Sequence, residues 1–330
     1  MKRFLVTGGT GFLGSHLLDR LLAQTSNAEE LRIRVLARST LQRDHPCMEF
    51  FQGDVRNAEV VDRAVTEVNG IFHLAGFVSR NPRDASLLFD THIQGTRNVC
   101  ESALRHGAQR VVLASSSGTI AASRYPVMHN EDSPYAVEIA ANWPYYLSKI
   151  YQEKLALSYV ERGLAVVVVN PSLLLGPGDD RMSSIGDVDL YMKRRIPSVP
   201  SGGMNFVDVR DAADALIAAM ERGTPGRRYL VGGYNMLVRE FLGRLERITG
   251  IKPPGMELPE SWSRLGVPLL RTVYGLAGKQ FPLDDATIEM SYRFWYFDSS
   301  RARSELGFSP RPAEETLRDT VQYLHGRGRS

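Results

Sequence analysis

The hydrophobic residues of this chain fall into short apolar runs separated by longer stretches with helical periodicity. The runs occupy residues 4–6, 32–37, 49–52, 70–74, 110–113 and 166–169. Helical stretches occupy residues 58–68 and 84–105. This regular alternation predicts an α/β fold, in which parallel strands form a doubly wound sheet with helices on both faces.

The alternation weakens after residue 170, where prolines and glycines divide the chain into loops and short elements. A strand at 206–209 and a helix at 212–220 then indicate that the chain crosses back to the main sheet. We therefore predict a large domain over residues 1–170 with a return segment at about 204–232. Residues 171–203 and 233–330 are expected to form a smaller, interleaved lobe.

The first apolar run leads into a glycine-rich turn, and helical periodicity begins directly afterwards. Glycine permits positive φ and lets the backbone approach a diphosphate, while the free amides at a helix start attract negative charge. This order of strand, turn and helix predicts a Rossmann-type dinucleotide site. Its residues are Gly8, Thr10, Gly11, Phe12, Leu13 and Gly14.

The second strand ends at Arg38, where a residue that binds the adenosine 2′-hydroxyl would be acidic. Arginine suits a 2′-phosphate, so the sequence favours NADP over NAD, with NAD still possible. The alternative interpretation is an ordinary exposed arginine. We assign the large domain as the NADP-binding domain and the small lobe as the substrate-binding lobe.

Ligands of a doubly wound sheet gather at the carboxyl ends of its strands. On that rule Asp54 and Val55 are expected to border the adenine. Leu74, Ala75 and Gly76 are expected to let the dinucleotide pass close to the backbone. The simpler interpretation of both groups is that they form turns between strands and helices.

Tyr145 and Lys149 lie four residues apart in a helical stretch, so they share one helix face. A nearby ammonium favours the phenolate and lowers the tyrosine pKa from about 10, which suits general acid/base chemistry. Alone, such a pair is typical of a half-buried aromatic beside a solvated charge. Together with the dinucleotide site and a serine cluster after the fifth strand, it indicates hydride chemistry.

Composition excludes several other classes of protein. The chain has 330 residues, 43% of them hydrophobic, and its 40 basic and 37 acidic side chains are interspersed, so no nucleic-acid partner is expected. Cys47 and Cys100 have no metal-type or redox-type spacing, which predicts no metal site and reduced thiols in the cytoplasm. The longest aliphatic stretch, at 165–169, is too short to span a membrane.

These motifs occur in order along nearly the whole chain, and together they resemble an extended short-chain dehydrogenase/reductase of the NAD-dependent epimerase/dehydratase family. The resemblance is nearest to the dihydroflavonol-4-reductase-like and 3β-hydroxysteroid-dehydrogenase-like branch. The motifs that carry it lie at 7–14, 53–55, 73–76, 114–119, 145–149, 170–172, 176–179 and 206–211.

The resemblance implies catalytic roles for three residues. Tyr145 would be the general acid/base, and Lys149 would lower the Tyr145 pKa and hold the nicotinamide ribose. Ser116 would hydrogen-bond the reacting carbonyl. Ser117 is the alternative, while Ser115 is expected to face the sheet.

The resemblance also places Pro171 and Ser172 in the cofactor site and implies a homodimer built from the Tyr145 helix and the helix at 92–105. One position departs from the family pattern. His92 stands where related enzymes often carry an asparagine that supports a proton relay. His92 could titrate near pH 6.5, hold a water or pack, and we favour packing or holding a water.

The substrate lobe is rich in apolar and aromatic residues between 256 and 295, and Tyr125, Tyr135 and Trp143 precede the catalytic helix. These residues predict an apolar substrate pocket, or alternatively core or subunit packing. Residues 269–276 could also form an amphipathic surface segment with peripheral membrane contact.

The predicted function is an NADP(H)-dependent oxidoreductase that interconverts a ketone and a secondary alcohol on an apolar sterol-like, flavonoid-like or lipid-like molecule. One alternative is a nucleotide-sugar epimerase or dehydratase that retains NAD. Another is a non-catalytic protein of the same fold that senses NADP.

Overall fold

A computed structural model describes residues 2–24, 29–39, 44–261, 266, 268, 271–272, 275–276, 278, 281 and 283–327. The strands are β1 (Lys2–Thr7), β2 (Leu31–Ala37), β3 (Met48–Gln52), β4 (Gly70–His73), β5 (Arg110–Ala114), β6 (Val166–Pro171), β7 (Leu173–Leu175), β8 (Val199–Pro200), β9 (Gly203–Asp208), β10 (Arg228–Val231), β11 (Tyr234–Leu237) and β12 (Glu257–Leu258). The α-helices are α1 (Phe12–Ala23), α2 (Ala58–Val65), α3 (Ala85–Phe89), α4 (Gly95–His106), α5 (Val137–Ala140), α6 (Pro144–Ser158), α7 (Gly186–Met192), α8 (Val209–Arg222), α9 (Val238–Thr249), α10 (Asp285–Ser291), α11 (Ser300–Leu306) and α12 (Ala313–Arg327).

The central feature is a seven-stranded parallel sheet with the order β10-β6-β5-β4-β1-β2-β3. This order confirms the predicted doubly wound α/β fold. The strand order reverses at β1, where Thr7 pairs with Leu36 of β2 on one side and His73 of β4 on the other. The loops that follow β1 and β4 therefore open a crevice at the carboxyl edge, which is where this fold binds its ligands.

Helices cover both faces of the sheet because its central strands are apolar on both sides. Helices α1, α8 and α11 pack on one face, where Leu17, Leu216 and Leu306 are buried in one cluster with β-strand valines. Helices α2, α4 and α6 pack on the other face, where Val61, Val99 and Ala156 join a second buried cluster. The sheet is thereby held rigid beneath the crevice.

A smaller sheet of β7, β9 and β11 forms the core of the second lobe, together with α7, α9 and α12. The structure differs from the predicted boundaries in two places. Strand β9 lies in this smaller sheet, so the return to the main sheet begins with α8 and ends with β10. Helix α11 packs on the main sheet rather than in the lobe, because Ala302 and Leu306 are buried there.

Within the described ranges, no helix combines the length and the apolar character needed to cross a bilayer. The described residues also contain no cluster of His, Cys, Asp and Glu side chains that could hold a metal ion. Cys47 and Cys100 are free and buried, and burial raises the pKa of the Cys100 thiol to about 12. Cys100 is therefore protonated at neutral pH and fills space in the core.

Candidate active site

The glycine turn after β1 is packed too closely for any larger residue. Gly8 has φ of +74°, and a Cβ placed on it would lie 2.7 Å from the Leu74 carbonyl. A Cβ on Gly14 would lie 2.2 Å from the Gly8 oxygen. Glycine is thus required for the turn to lie against β4 and for α1 to start directly behind it.

The start of α1 is open to an anionic ligand. Gly11 is the N-cap, and it has no side chain that could hydrogen-bond the first amides of the helix. The first turn contains no acidic residue. The first amides of the helix therefore keep their positive partial charge for a bound group. Ser172 Oγ is buried with no hydrogen-bond partner in the described part of the chain, which leaves a second polar group for a ligand. These features fit a dinucleotide.

A single cavity of about 1150 Å³ runs from this turn to the smaller lobe. It is lined by every residue that the sequence predicted for the site. They are Gly8, Thr10, Gly11, Phe12, Leu13, Gly14, Arg38, Asp54, Val55, Leu74, Ala75, Gly76, Ser116, Tyr145, Lys149, Pro171 and Ser172. Ser115 and Ser117 also line the cavity, although Ser115 hydrogen-bonds inward to Glu153.

Tyr145 lies at the second position of α6, which Pro144 starts with its fixed φ. Burial raises the pKa of the Tyr145 phenol above its usual value, while a hydrogen bond with Ser116 opposes that rise. The predicted lowering of this pKa by Lys149 is therefore wrong for the protein alone. The reason is that desolvation dominates and the Lys149 ammonium is bound elsewhere.

Lys149 is buried, and its Nζ donates to Ala114 O and to Gln152 Oε1, both at 2.9 Å. Burial lowers the pKa of Lys149 to about 8, and the Glu153 carboxylate opposes that shift. An ammonium has three donors. One N–H therefore remains for an acceptor in the cavity that Lys149 lines.

Gln152 belongs to a buried hydrogen-bonded chain that the sequence did not reveal. Gln152 Nε2 donates to Thr96 Oγ1 at 2.8 Å, and Thr96 Oγ1 lies 2.9 Å from His73 Nε2. His73 Nδ1 lies 2.8 Å from Thr7 Oγ1, at the end of β1. Burial lowers the pKa of His73 to about 3, so the ring is neutral. The chain connects Lys149 to the strand that carries the glycine turn.

His92 lies in a π-helical segment, Asp90–Gln94, that joins α3 to α4. The Ser148 hydroxyl donates to Tyr145 O, so it accepts from His92 Nδ1 at 2.8 Å. His92 Nε2 then carries a lone pair, and it has no partner in the described residues. Burial holds the pKa of His92 well below its usual value, which contradicts the suggested titration near pH 6.5.

The His92 ring leaves no room for a side chain at Gly76. A Cβ on Gly76 would lie 2.6 Å from His92 Nε2. Close approach of the cofactor is the expected reason for this glycine, and the packing of His92 is a second one. The residue after Ala75 must therefore be glycine even without a bound molecule.

Aromatic side chains form a wall beside Tyr145. Trp143 stacks on Trp295 with ring centroids 5.7 Å apart, and Tyr146 lies 5.1 Å from Trp295. The rings of Tyr145 and Tyr146 are 5.0 Å apart. A Cβ on Gly118 would lie 2.1 Å from Tyr146 Cε1, so this glycine makes room for the wall.

The other aromatic residues predicted for the pocket behave differently. Tyr125 is 72% exposed, and Tyr135 packs under the Arg228 guanidinium, so neither lines the cavity. In the smaller lobe, Phe281, Tyr292 and Trp295 line it. Several predicted residues lie outside the described residues: Trp262, Leu265, Val267, Leu269, Leu270, Val273 and Tyr274. The proposed surface segment 269–276 falls largely among these.

Arg38 lines the cavity directly after β2 and forms no ion pair with any described residue. Asp54 is paired with Arg56 at 2.8 Å, and that arginine lowers the pKa of the Asp54 carboxyl. Arg38 contributes to the same lowering at longer range. The Arg38 guanidinium is therefore free for an anionic ligand.

Known proteins resemble this chain over nearly its whole length. The sequence model of the NAD dependent epimerase/dehydratase family matches residues 4–232. A sterol demethylase protein B of Methylococcus capsulatus is 31% identical over 330 residues, with 98% of each chain covered. A putative dihydroflavonol 4-reductase of Synechocystis sp. is 30% identical, with 98% of this chain and 95% of the relative covered.

Solved structures agree on the architecture. The crystal structure of gox2253 superposes with a TM-score of 0.84 at 29% identity, covering 100% of this chain and 99% of the other. The Thermus thermophilus UDP-glucose 4-epimerase complex with NAD superposes with a TM-score of 0.74 at 24% identity, covering 98% and 99%. The second likeness shows a shared fold.

Proposed function

This chain belongs to the NAD dependent epimerase/dehydratase family and is an NAD(P)-dependent oxidoreductase acting on CH–OH groups, and we propose that it interconverts a ketone and a secondary alcohol on an apolar small molecule with NADP(H). The observation that carries this proposal is the cavity itself. It joins the glycine turn, Ser116, Tyr145 and Lys149 to an aromatic and aliphatic wall.

A bound nicotinamide dinucleotide supplies or accepts the hydride. The glycine turn and the start of α1 would hold its diphosphate, and Asp54 and Val55 would border its adenine, as the order of the strand ends along the crevice indicates. The family resemblance places Pro171 and Ser172 in the same site, and both line the cavity. The remaining N–H of Lys149 is available to a ribose hydroxyl.

The raised pKa of Tyr145 keeps a proton on the phenol for transfer to the substrate. The phenol is protonated at neutral pH, so Tyr145 donates a proton to the oxygen of a substrate that is being reduced. Ser116 donates a hydrogen bond to the same oxygen and stabilises the developing charge. We propose carbonyl reduction as the direction of the reaction in the cell because the proposed cofactor is NADPH.

The apolar character of the substrate is proposed from the far end of the cavity. Its walls there include Trp143, Tyr146, Leu174, Met204, Phe241 and Trp295. A wall of this kind favours a ring-containing or lipid-like molecule over a sugar nucleotide. The relatives named as sterol demethylase protein B and as 3-beta-hydroxysteroid dehydrogenase support the same class.

The decisive experiment measures oxidation of NADPH and NADH in parallel, with a panel of steroid, flavonoid and β-keto-acyl ketones. Turnover that requires NADPH and disappears in Tyr145→Phe supports the proposal. Tyr151→Phe is the matched control, because Tyr151 lies on the same helix and is exposed. Protein that purifies with tightly bound NAD and epimerises sugar nucleotides would replace the proposal, and NADPH binding without turnover on the whole panel would favour a sensor.

We also propose a cytoplasmic homodimer. Tyr151 is exposed on α6, which the family resemblance places at the subunit contact, and Leu87 is exposed on α3, which packs against α6. Buried, unpaired Cys47 and Cys100 are consistent with a reducing compartment. Sedimentation velocity of the wild type and of Tyr151→Glu tests the dimer, since a charge in the contact should give monomers.

A further inference from the structure

Glu153 is a fully buried carboxylate for which the proposed reaction has no role. It lies on α6 with 0% of its surface exposed. Its Oε1 accepts hydrogen bonds from Ser115 Oγ and Asn170 Nδ2, and Thr119 Oγ1 lies 2.8 Å from it. Its Oε2 has no partner in the described residues, and Glu153 forms no ion pair there. A charged group this costly to bury needs an explanation.

The groups around Glu153 enclose Ser116. Ser115 and Thr119 stand on either side of it in sequence, and Thr119 Oγ1 also lies 2.8 Å from Ser116 O. Asn170 Nδ2 donates to Ser116 O at 3.1 Å. The carboxylate therefore fixes the turn at the end of β5 from both sides, and that turn sets the position of the Ser116 hydroxyl.

Glu153 is also linked to Lys149. The two residues are four apart on α6 and share a face. The charge of Glu153 acts on Lys149 and opposes the effect of burial on the lysine pKa. Because no ion pair neutralises Glu153 within the described ranges, its charge remains available to the ammonium, and screening is weak in the interior.

Several other ionisable groups face this pair. His73 from β4 and His92 from the π segment interact with Lys149, and both are neutral. Tyr135 lies on the Glu153 side, with Arg228 of β10 stacked over its ring at 4.7 Å. Burial raises the pKa of Glu153 above its usual value, while the hydrogen bonds from Ser115 and Thr119 and the charge of Arg228 oppose that rise. Among these groups Glu153 is the one that acts to keep Lys149 charged.

We propose that Glu153 is a positioning residue that holds Ser116 in place and keeps Lys149 in its charged form. This inference rests on the proposed function only for the roles of Ser116 and Lys149. The electrostatic link between Glu153 and Lys149 can be measured without substrate or cofactor.

The test uses the full chain with ¹³C-labelled lysine and follows the Lys149 Cε resonance against pH by NMR. The chain contains six lysines, so comparison with Lys149→Arg assigns the signal. Glu153→Gln keeps the shape and removes the charge. We expect its Lys149 midpoint to fall by about one pH unit, a tenfold change in the acid dissociation constant. The exposed Glu161→Gln is the matched control and should keep the wild-type midpoint.

An unchanged midpoint in Glu153→Gln would overturn the inference. If that variant does not fold, Glu153→Met replaces it. It also removes the charge, so the Lys149 midpoint should again fall by about one pH unit, and no movement would again overturn the inference. Once a substrate is known, Glu153→Gln should lower kcat about tenfold with KM within about twofold. Failure to find any substrate would affect the proposed function and leave the titration result intact.

Discussion

Lys149 Nζ donates a hydrogen bond to Gln152 Oε1, one turn further along the same helix, at 2.9 Å. Gln152 is itself held by Thr96 and, through it, by His73 and Thr7. The ammonium is therefore oriented by a side chain that is fixed to the central sheet. The oxygen and the nitrogen of the Gln152 side-chain amide are both hydrogen-bonded, so the orientation of the amide is set from two sides.

Replacement of Gln152 by leucine should disturb the site through this chain. Gln152→Leu removes one hydrogen-bond partner from Thr96 and one from Lys149, and a buried polar group left unsatisfied costs about 1–3 kcal/mol. We expect a loss of unfolding free energy of that size in urea titrations, together with weaker NADPH binding. Gln322→Leu is the control, because Gln322 is exposed on α12. Equal stability of Gln152→Leu and wild type would contradict the role given to this residue.

The buried histidines should make stability depend on pH. The folded pKa of His73 is about 3, against about 6.5 in the unfolded chain. The contribution of neutral His73 is therefore complete above about pH 6.5 and is lost as the pH falls towards 3. Over that range each such histidine changes the unfolding free energy by about 1.4 kcal/mol per pH unit.

The measurement is the slope of unfolding free energy against pH between about 6.5 and 5. His73→Gln should have a slope smaller by about 1.4 kcal/mol per unit. The exposed His325→Gln should follow the wild type. Parallel slopes for His73→Gln and wild type would mean that His73 is protonated in the folded protein.

The sequence predicted the fold because the periodicities of strands and helices and the glycine turn are local patterns, and the residues proposed for the site all line one cavity. Glycine spacing sets the turn after β1, and the interval from Tyr145 to Lys149 sets a shared helix face. Gln152 and Glu153 could not be recognised in this way. Polar residues on a helix normally face solvent, and the partners that hold Gln152 and Glu153 in the interior come from distant segments.

The pKa of Tyr145 was mispredicted for a similar reason. Spacing alone brings Lys149 near the phenol, but the direction of the shift depends on burial and on what else the ammonium binds. Ala114 O and Gln152 occupy two of its donors. Those contacts depend on how β5 and α6 pack against each other. The spacing of residues along the sequence does not reveal that packing.

Arg38 should determine the choice of cofactor. Its guanidinium forms no ion pair in the described part of the chain, so a 2′-phosphate would meet an available positive charge. Arg38→Ala should weaken NADPH binding about ten- to a hundredfold and change NADH binding by less than about twofold. Fluorescence titration measures both, with exposed Arg32→Ala as the control. Equal losses for the two cofactors would show that Arg38 does not bind the phosphate.

Gly118 should tolerate no side chain. A Cβ there would lie 2.1 Å from Tyr146, whose ring is confined between Tyr145 and Trp295. Gly118→Ala is expected to cost about 1–3 kcal/mol of stability and to lower turnover of ring-containing substrates. Gly243→Ala is the matched control, because no atom lies within 4 Å of its added Cβ, and alanine should stabilise α9 slightly. Wild-type melting of Gly118→Ala would show that the aromatic wall is adaptable.

The sheet acquires its last strand late. Six of its seven strands lie before residue 172, whereas β10 pairs with β6 only after β7 to β9 and α8 have been made. Until then a growing chain on the ribosome carries the apolar β6 with one open edge, which invites pairing with other chains. A fragment that stops at residue 170 would keep that edge open permanently. Residues 1–170 alone therefore lack the strand that covers the edge of β6. A chimera built from them also needs an intact β10.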